Sequence, residues 1–228
     1  MPASGVVTAP TGRRAERKRR DILRAARAVF LGNGYVGASI TVVAAQADAS
    51  KVTVYRHFGD KEGLFVAVVE SAIEEAEDRS RAMVEALAES TDLAADLRAF
   101  ARQHVEVVTQ PHLVRMRRML IAEAERFPAL ARAWHRRAPR QANRTLGAII
   151  KRLADRGELT VDDAELAAEH LNYLVLAAPL DEAMFTARTT PFPRARLHRW
   201  ADDAVRVFLA AYRPKPPTQT DTRPGQTR

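Results

Sequence analysis

Cysteine is absent from this 228-residue chain, which excludes disulfides, thiolate nucleophiles and thiolate metal sites. Aromatic residues make up 6 % of it and glycine only 10 positions, and no run of alternating β-branched residues is closed by turn signals, so no strand is expected. No apolar stretch approaches a membrane span. Met1–Gly12 lacks the basic-then-apolar layout of a secretory leader, and cytoplasmic residence is the expectation. Enzyme signatures are missing too: there is no Walker loop, Gly-x-Gly-x-x-Gly, His-Glu-x-x-His or Gly-x-Ser-x-Gly. The six histidines, at 57, 104, 112, 135, 170 and 198, do not pair at metal-binding helix spacing. No catalytic residue, cofactor or metal is therefore expected, and the chain does not read as an enzyme.

What the chain does have is 46 % apolar residues, with Ala, Leu, Arg and Glu prominent, a mixture that favours helices. Its net charge of +8 is uneven: residues 1–60 carry +6, residues 213–228 carry +3, and the rest sum to −1. Positive ends on a near-neutral middle point toward an anionic partner, although basic tails also serve solubility alone.

Along the chain, residues 1–12 lack periodicity and are expected to be disordered. Ile22, Leu23, Ala26, Val29 and Phe30 mark one face of a first helix, ended by Gly32 and Gly34. Arg13, Arg17, Arg20, Arg24 and Arg27 form a stripe on the opposite face. Ser39 is a cap for a short helix through Ala47, and Lys51–Phe58 forms another. Asp60 caps a fourth helix reaching about Glu89, with Leu64, Phe65, Val68, Ala72 and Ala76 inward. Leu93, Leu97, Phe100, His104 and Val107 share a face of a fifth, and Pro111 starts a sixth. Phe127-Pro128 interrupts, and Pro139 either kinks or restarts the next segment, which stops at Gly157. Asp162 with Glu165 caps a long helix to about Thr186, bent at Pro179. A last helix spans 194–212, and residues 213–228 are expected to be disordered. The expectation is an all-α protein of about nine helices.

Residues 39–58 have the makings of a helix-turn-helix, which needs two short helices, a tight turn and a second helix free to enter a major groove. Val43 and Ala44 pack the first helix down, Ala47 allows a close crossing, and Val54 anchors the second. That leaves Lys51, Thr53, Tyr55, Arg56 and His57 outward, with no acid among them.

Ile22-Leu23-x-x-Ala26, Phe30, Gly34-Tyr35, Ser39-Ile40, Ala44, Ser50-Lys51-x-x-Val54-Tyr55-x-His57-Phe58 and Lys61-Glu62-x-Leu64-Phe65 resemble the DNA-binding domain of TetR-family regulators, in order and with matching gaps. The family usually has Gly-Val where this chain has Asp48-Ala49; Asp tolerates the left-handed turn better than most residues, at some cost in stability. The resemblance implies a DNA-binding domain over 13–62 with contacts at Ser39, Thr41, Ser50, Lys51, Thr53, Tyr55, Arg56, His57 and Lys61. Ser39, Thr41, Tyr55, His57 and Lys61 correspond to phosphate contacts, and Lys51, Thr53 and Arg56 to groove-facing residues; the alternative is that Tyr55 and His57 are half-buried packing residues. The arginine stripe is either a flanking DNA contact or a solvated face.

Arg126-Phe127-Pro128-x-Leu130 through Arg156-Gly157-Glu158-Leu159 resembles the C-terminal domain of AefR-like members of that family. This implies a regulatory and dimerisation domain over 63–212, with helices 162–186 and 194–212 pairing two copies. Their apolar residues, Leu197, Trp200, Val205 and Phe208 among them, suit either a dimer face or the core. His104, His170 and Tyr173, with Met116, Met119, Trp134 and Phe185, are candidates to line a small-molecule site, since a few polar groups on apolar walls make one; a lone inward histidine is also common in cores. The expected function is a repressor that releases a palindromic operator in double-stranded DNA when an effector binds. The alternative is a helical dimer that coats DNA without regard to sequence.

Overall fold

The computed structural model describes residues 11–88, 92–186 and 188–214. The expectations for 1–10 and for 215–228 lie outside these, while Thr11 and Gly12, expected to be disordered with residues 1–10, are helical. Among the described residues all regular structure is helical, in ten helices: α1 (Thr11–Gly37), α2 (Ile40–Gln46), α3 (Lys51–Phe58), α4 (Lys61–Ala88), α5 (Leu93–Val108), α6 (Pro111–Ala122), α7 (Pro128–Arg137), α8 (Pro139–Asp155), α9 (Ala164–Phe185) and α10 (Arg194–Tyr212). The fold is all-α as expected. Pro139 restarts a helix rather than kinking one, which is what separates α7 from α8.

Two compact units emerge. One comprises α1 through Arg81 of α4, Val108–Ala142 and Leu180–Pro191; the other comprises Ala82–Val107, Asn143–Pro179 and the chain from Phe192 through α10.

The first unit is built on one apolar cluster. Ile22, Ala26, Val29 and Phe30 of α1 join Val43 and Ala44 of α2, Val54 of α3 and Leu64, Phe65, Val68, Val69, Ala72 and Ile73 of α4. Met116, Met119 and Leu120 of α6, with Phe127 and Leu130, close the same cluster. Gly32 does not end α1. The break falls at Gly34, whose φ of 69° and ψ of 177° belong to a region open essentially to glycine alone. Charged pairs fasten the periphery. Arg27 bonds both carboxylate oxygens of Glu75 at 2.8 Å, and Arg137 of α7 reaches Glu77 at 2.9 Å and Glu70 at 2.6 Å on α4. Arg118 donates to the carbonyls of Ala183, at 2.6 Å, and Thr186, occupying the carbonyl end of α9.

In the second unit Leu97, Ala101 and Val105 of α5, Ile150 and Leu153 of α8, Leu171 and Val175 of α9, and Ala201, Val205 and Phe208 of α10 are buried. Gly147 permits the close packing of α8 on α9, since a Cβ there would stand 3.2 Å from the Cα of Glu165. Asp163 rather than Asp162 caps α9, accepting from the Leu166 N–H at 3.0 Å. Arg102 on α5 makes a two-pronged bond to Asp202 on α10, at 2.7 Å for each oxygen. Glu106, one turn on, takes Arg194 at 3.0 Å and His198.

Candidate nucleic-acid interface

The helix-turn-helix is shaped by its turn. Asp48 is the one non-glycine residue with positive φ (48°) among the described residues. The Ala49 N–H bonds the Ala44 carbonyl at 2.9 Å and the Asp48 N–H bonds that of Ala45 at 3.2 Å. This pair of bonds is the Schellman arrangement, which requires the residue between them to turn left-handed. Lys18, reaching over from α1, donates to the carbonyls of Asp48 at 2.8 Å and Ala47 at 3.2 Å. Arg19, its neighbour, stands 5.4 Å from the Phe58 ring centre at the far end of α3. Consecutive cations of α1 thus hold the turn that precedes α3 and the last residue of α3.

Ser50 caps α3: its hydroxyl accepts from the Thr53 N–H at 3.0 Å and bonds the Thr53 hydroxyl at 2.9 Å. Gly59 ends α3, its N–H on the Tyr55 carbonyl at 2.8 Å. Asp60 caps α4 through the Gly63 N–H at 2.7 Å. Gly63 has no alternative, for a Cβ there would lie 2.1 Å from the Phe58 carbonyl oxygen. The steep step from α3 into α4 depends on that missing carbon.

With Val54 fully buried, the outer face of α3 consists of Lys51, Val52, Tyr55 and Arg56, all exposed. Thr53 and His57, expected outward, are half-buried: Thr53 turns back to Ser50, and the His57 ring lies 6.0 Å from that of Phe58. Val52, 75 % exposed, was not singled out from the sequence. A valine two positions before Val54 reads as core until the helix period places the two about 160° apart. An apolar group on such a face suits a thymine methyl. Ser39 and Thr41, at the start of α2, are exposed, and the Ser39 side chain makes no capping bond. Lys61 is half-buried; it donates to the Val36 carbonyl at 2.9 Å and stands 5.0 Å above the Tyr35 ring. The structure therefore places Ser39, Thr41, Lys51, Tyr55 and Arg56 on the surface of α2 and α3. Arg13, Arg17, Arg20 and Arg24 are exposed along α1.

Residues 22–68 match the profile of bacterial regulatory proteins of the TetR family. Residues 95–214, more than half of the chain, match the C-terminal domain of AefR-like transcriptional repressors. The chain belongs to the TetR family. It is accordingly a DNA-binding transcription regulator. The HTH-type transcriptional repressor AcnR of Corynebacterium diphtheriae is 31 % identical over 103 residues, which is 44 % of this chain and 50 % of that one. The chain thus spans half the length of that curated relative. A TetR-family transcriptional regulator from Mesorhizobium loti MAFF303099 superposes with a TM-score of 0.83 at 38 % identity, over 88 % of this chain and 99 % of the other. The flavonoid-responsive regulator FrrA superposes with a TM-score of 0.69 at 26 % identity, over 88 % of this chain and 100 % of its own.

The residues expected to line an effector site divide between the two units. In the first, Met116 and Met119 are buried in the cluster and Trp134 packs against it, while Phe185 is 86 % exposed. In the second, His104 stacks on Phe100 with ring centres 5.4 Å apart, and its Nε2 bonds the Asn172 amide oxygen at 2.9 Å. His170 is exposed and bonds the Tyr212 hydroxyl at 2.5 Å; Tyr173 is 62 % exposed. His104 with Asn172, half-buried, and His170 with Tyr212, on the surface, are thus polar pairs that the fold assembles. Among the described residues no three His, Asp or Glu gather as a metal cage requires.

Proposed function

We propose that this regulator is a homodimeric repressor acting in the cytoplasm, which binds a palindromic operator through α3 and releases it when a small molecule binds the 63–212 region. The observation that carries the reading is the exposed face of α3, where Lys51, Val52, Tyr55 and Arg56 stand together without an acid. Lys51 and Arg56 read base edges, with Thr53 at the margin of the same face. Tyr55, Ser39 and Thr41 bond phosphates, and Ser50, His57 and Lys61 hold the helix ends in register beside them. Residues 13–62 form the DNA-binding part. Two copies pair through 162–186 and 194–212, which keep Leu166, Tyr173, Trp200 and Val207 on the surface of α9 and α10. Pairing sets two copies of α3 at a spacing that matches successive major grooves.

His104, His170, Tyr173, Met116, Met119, Trp134 and Phe185 remain the candidate effector residues. The relatives support the regulatory half of the reading: the name of AcnR describes a repressor and that of FrrA a flavonoid-responsive regulator. Release requires the effector to prefer one of two conformers, by a few kcal/mol for a large change in occupancy.

The test is a binding titration of the full chain on a duplex enriched from a random pool and on a scrambled duplex of the same length. Repression through an operator predicts affinities differing by about 10³ or more, with two protomers per duplex in sedimentation. Equal affinities that fall together with salt would instead mark a DNA-coating protein.

A further inference from the structure

The Arg126-Phe127-Pro128 motif belongs to the stretch that matches the C-terminal domain, yet the Phe127 side chain lies within the cluster built on the N-terminal helices, with Arg126 exposed beside it. Phe127 is buried, and its ring meets Tyr35 edge-on with centres 5.0 Å apart and lies 5.1 Å from Phe65. Tyr35 in turn stands edge-on to Phe65 at 4.9 Å and stacks on Phe30 at 6.1 Å. The Arg126 guanidinium is 4.6 Å from the Tyr35 ring centre, and Lys61 Nζ is 5.0 Å from it. Burial pushes the Tyr35 hydroxyl above its ordinary range, and the Arg126 charge opposes that.

Tyr35 occupies a particular place in the chain. It follows Gly34, where α1 breaks, and precedes Ala38 and Ser39, which lead into α2. The Ala38 N–H bonds the Tyr35 carbonyl, and Lys61 ties down the Val36 carbonyl between them. The direction in which the chain enters the helix-turn-helix is thus set around one ring, and that ring is held by the α6–α7 junction.

We infer that Arg126 and Phe127 are positioning residues for the DNA-binding surface, and that their hold on Tyr35 is the link through which α6 and α7 set the angle of the helix-turn-helix. The inference rests on the DNA-binding reading above. Packed rings exchange between discrete arrangements rather than deform smoothly, so a shift of the junction re-seats Tyr35 and carries residues 34–39 with it. Linkage makes the effect reciprocal: DNA that fixes the helix-turn-helix must also steady the junction.

Hydrogen exchange on the full chain, with and without a duplex enriched from a random pool, tests this. In the parent protein the duplex should slow exchange in peptides covering 35–61 and also in those covering 120–137, by at least about threefold in each. Arg126→Ala, a change at an exposed side chain, should keep the slowing at 35–61 and lose it at 120–137, and Phe127→Leu should do the same. Arg126→Lys, which keeps a cation over the ring, should restore it. Slowing confined to 35–61 in the parent, or an unchanged pattern in Arg126→Ala, would overturn the link while leaving DNA binding intact. No slowing at 35–61 would overturn the DNA-binding reading and the link with it.

Discussion

The ammonium of Lys18 lies 2.8 Å from the carbonyl oxygen of Asp48, the residue that turns left-handed between α2 and α3. A first-helix cation thus holds the turn where this chain lacks the glycine usual in its family. Left-handed backbone costs an L-residue roughly 1–2 kcal/mol, and Asp less than most. Asp48→Gly should therefore raise the stability of the full chain by up to about 1 kcal/mol, because glycine also loses more freedom on folding. Urea unfolding checks it; a variant less stable than the parent would show that the aspartate side chain contributes more than its backbone costs. Lys18→Met should destabilise the parent more than it does Asp48→Gly.

Gly63 allows the opposite test. An added methyl would collide with the Phe58 carbonyl oxygen at 2.1 Å, a backbone atom that cannot swing aside. Gly63→Ala should cost more than about 2 kcal/mol and abolish DNA binding by re-angling α3. A loss within about 0.5 kcal/mol would mean that the step from α3 to α4 yields easily.

On α3, Lys51→Ala and Val52→Ala should each change which base is preferred at one position of the half-site, at about 1–3 kcal/mol for a bidentate contact such as that of Lys51 and less for the methyl contact. Thr41→Ala should weaken all sites alike and leave the preferred sequence unchanged. Selection with each variant separates the two; an unchanged logo for Lys51→Ala would remove it as a base reader.

The α5–α10 pairs predict an acid response. The Arg102 hydrogen bond holds Asp202 below the usual carboxylate range. For Glu106 burial works upward, but the bonds from His198 and Arg194 outweigh it and leave the carboxyl low. A depressed folded pKa contributes stability above the unfolded value of about 4 and loses it as pH falls through the lower folded value. At neutral pH Asp202→Asn should cost under about 1 kcal/mol, since its pair is partly solvated. Below about pH 4 the melting temperatures of parent and variant should converge. A gap independent of pH would contradict this.

The exposed apolar residues of α10 give a test of assembly. Trp200 is 43 % and Val207 38 % exposed. Trp200→Glu combined with Val207→Glu should weaken self-association by about 2 kcal/mol or more if they lie in the core of a dimer contact. Sedimentation equilibrium reads it; an unaltered association constant would place the contact elsewhere.

The pattern of apolar residues was enough to place most of the helices and the inward side of α2 and α3, because Val43, Ala44 and Val54 leave only one way to pack a short helix. Choices between near-equivalent neighbours were not legible. Asp162 and Asp163 are both good caps, and only the backbone path selects the second. Gly32 was expected to stop α1, but a helix packed along its length absorbs one glycine, and the break came at Gly34. Thr53 and His57 were expected outward because periodicity ignores the pull of a cap and of a ring next door. Effector candidates were hardest, because a helix pattern marks an apolar face but not what covers it: Met116 is inward as its helix face implies, whereas Phe185 at the end of α9 is exposed. The hold of Phe127 on Tyr35 joins residues 92 positions apart, which no local pattern reveals.

The most direct test of the central claim is selection of bound duplexes from a random pool by the purified full chain at moderate salt. The account predicts enrichment of a palindrome with half-sites about one helical turn, or a multiple of it, apart. Recovery of DNA without any enriched motif would contradict it.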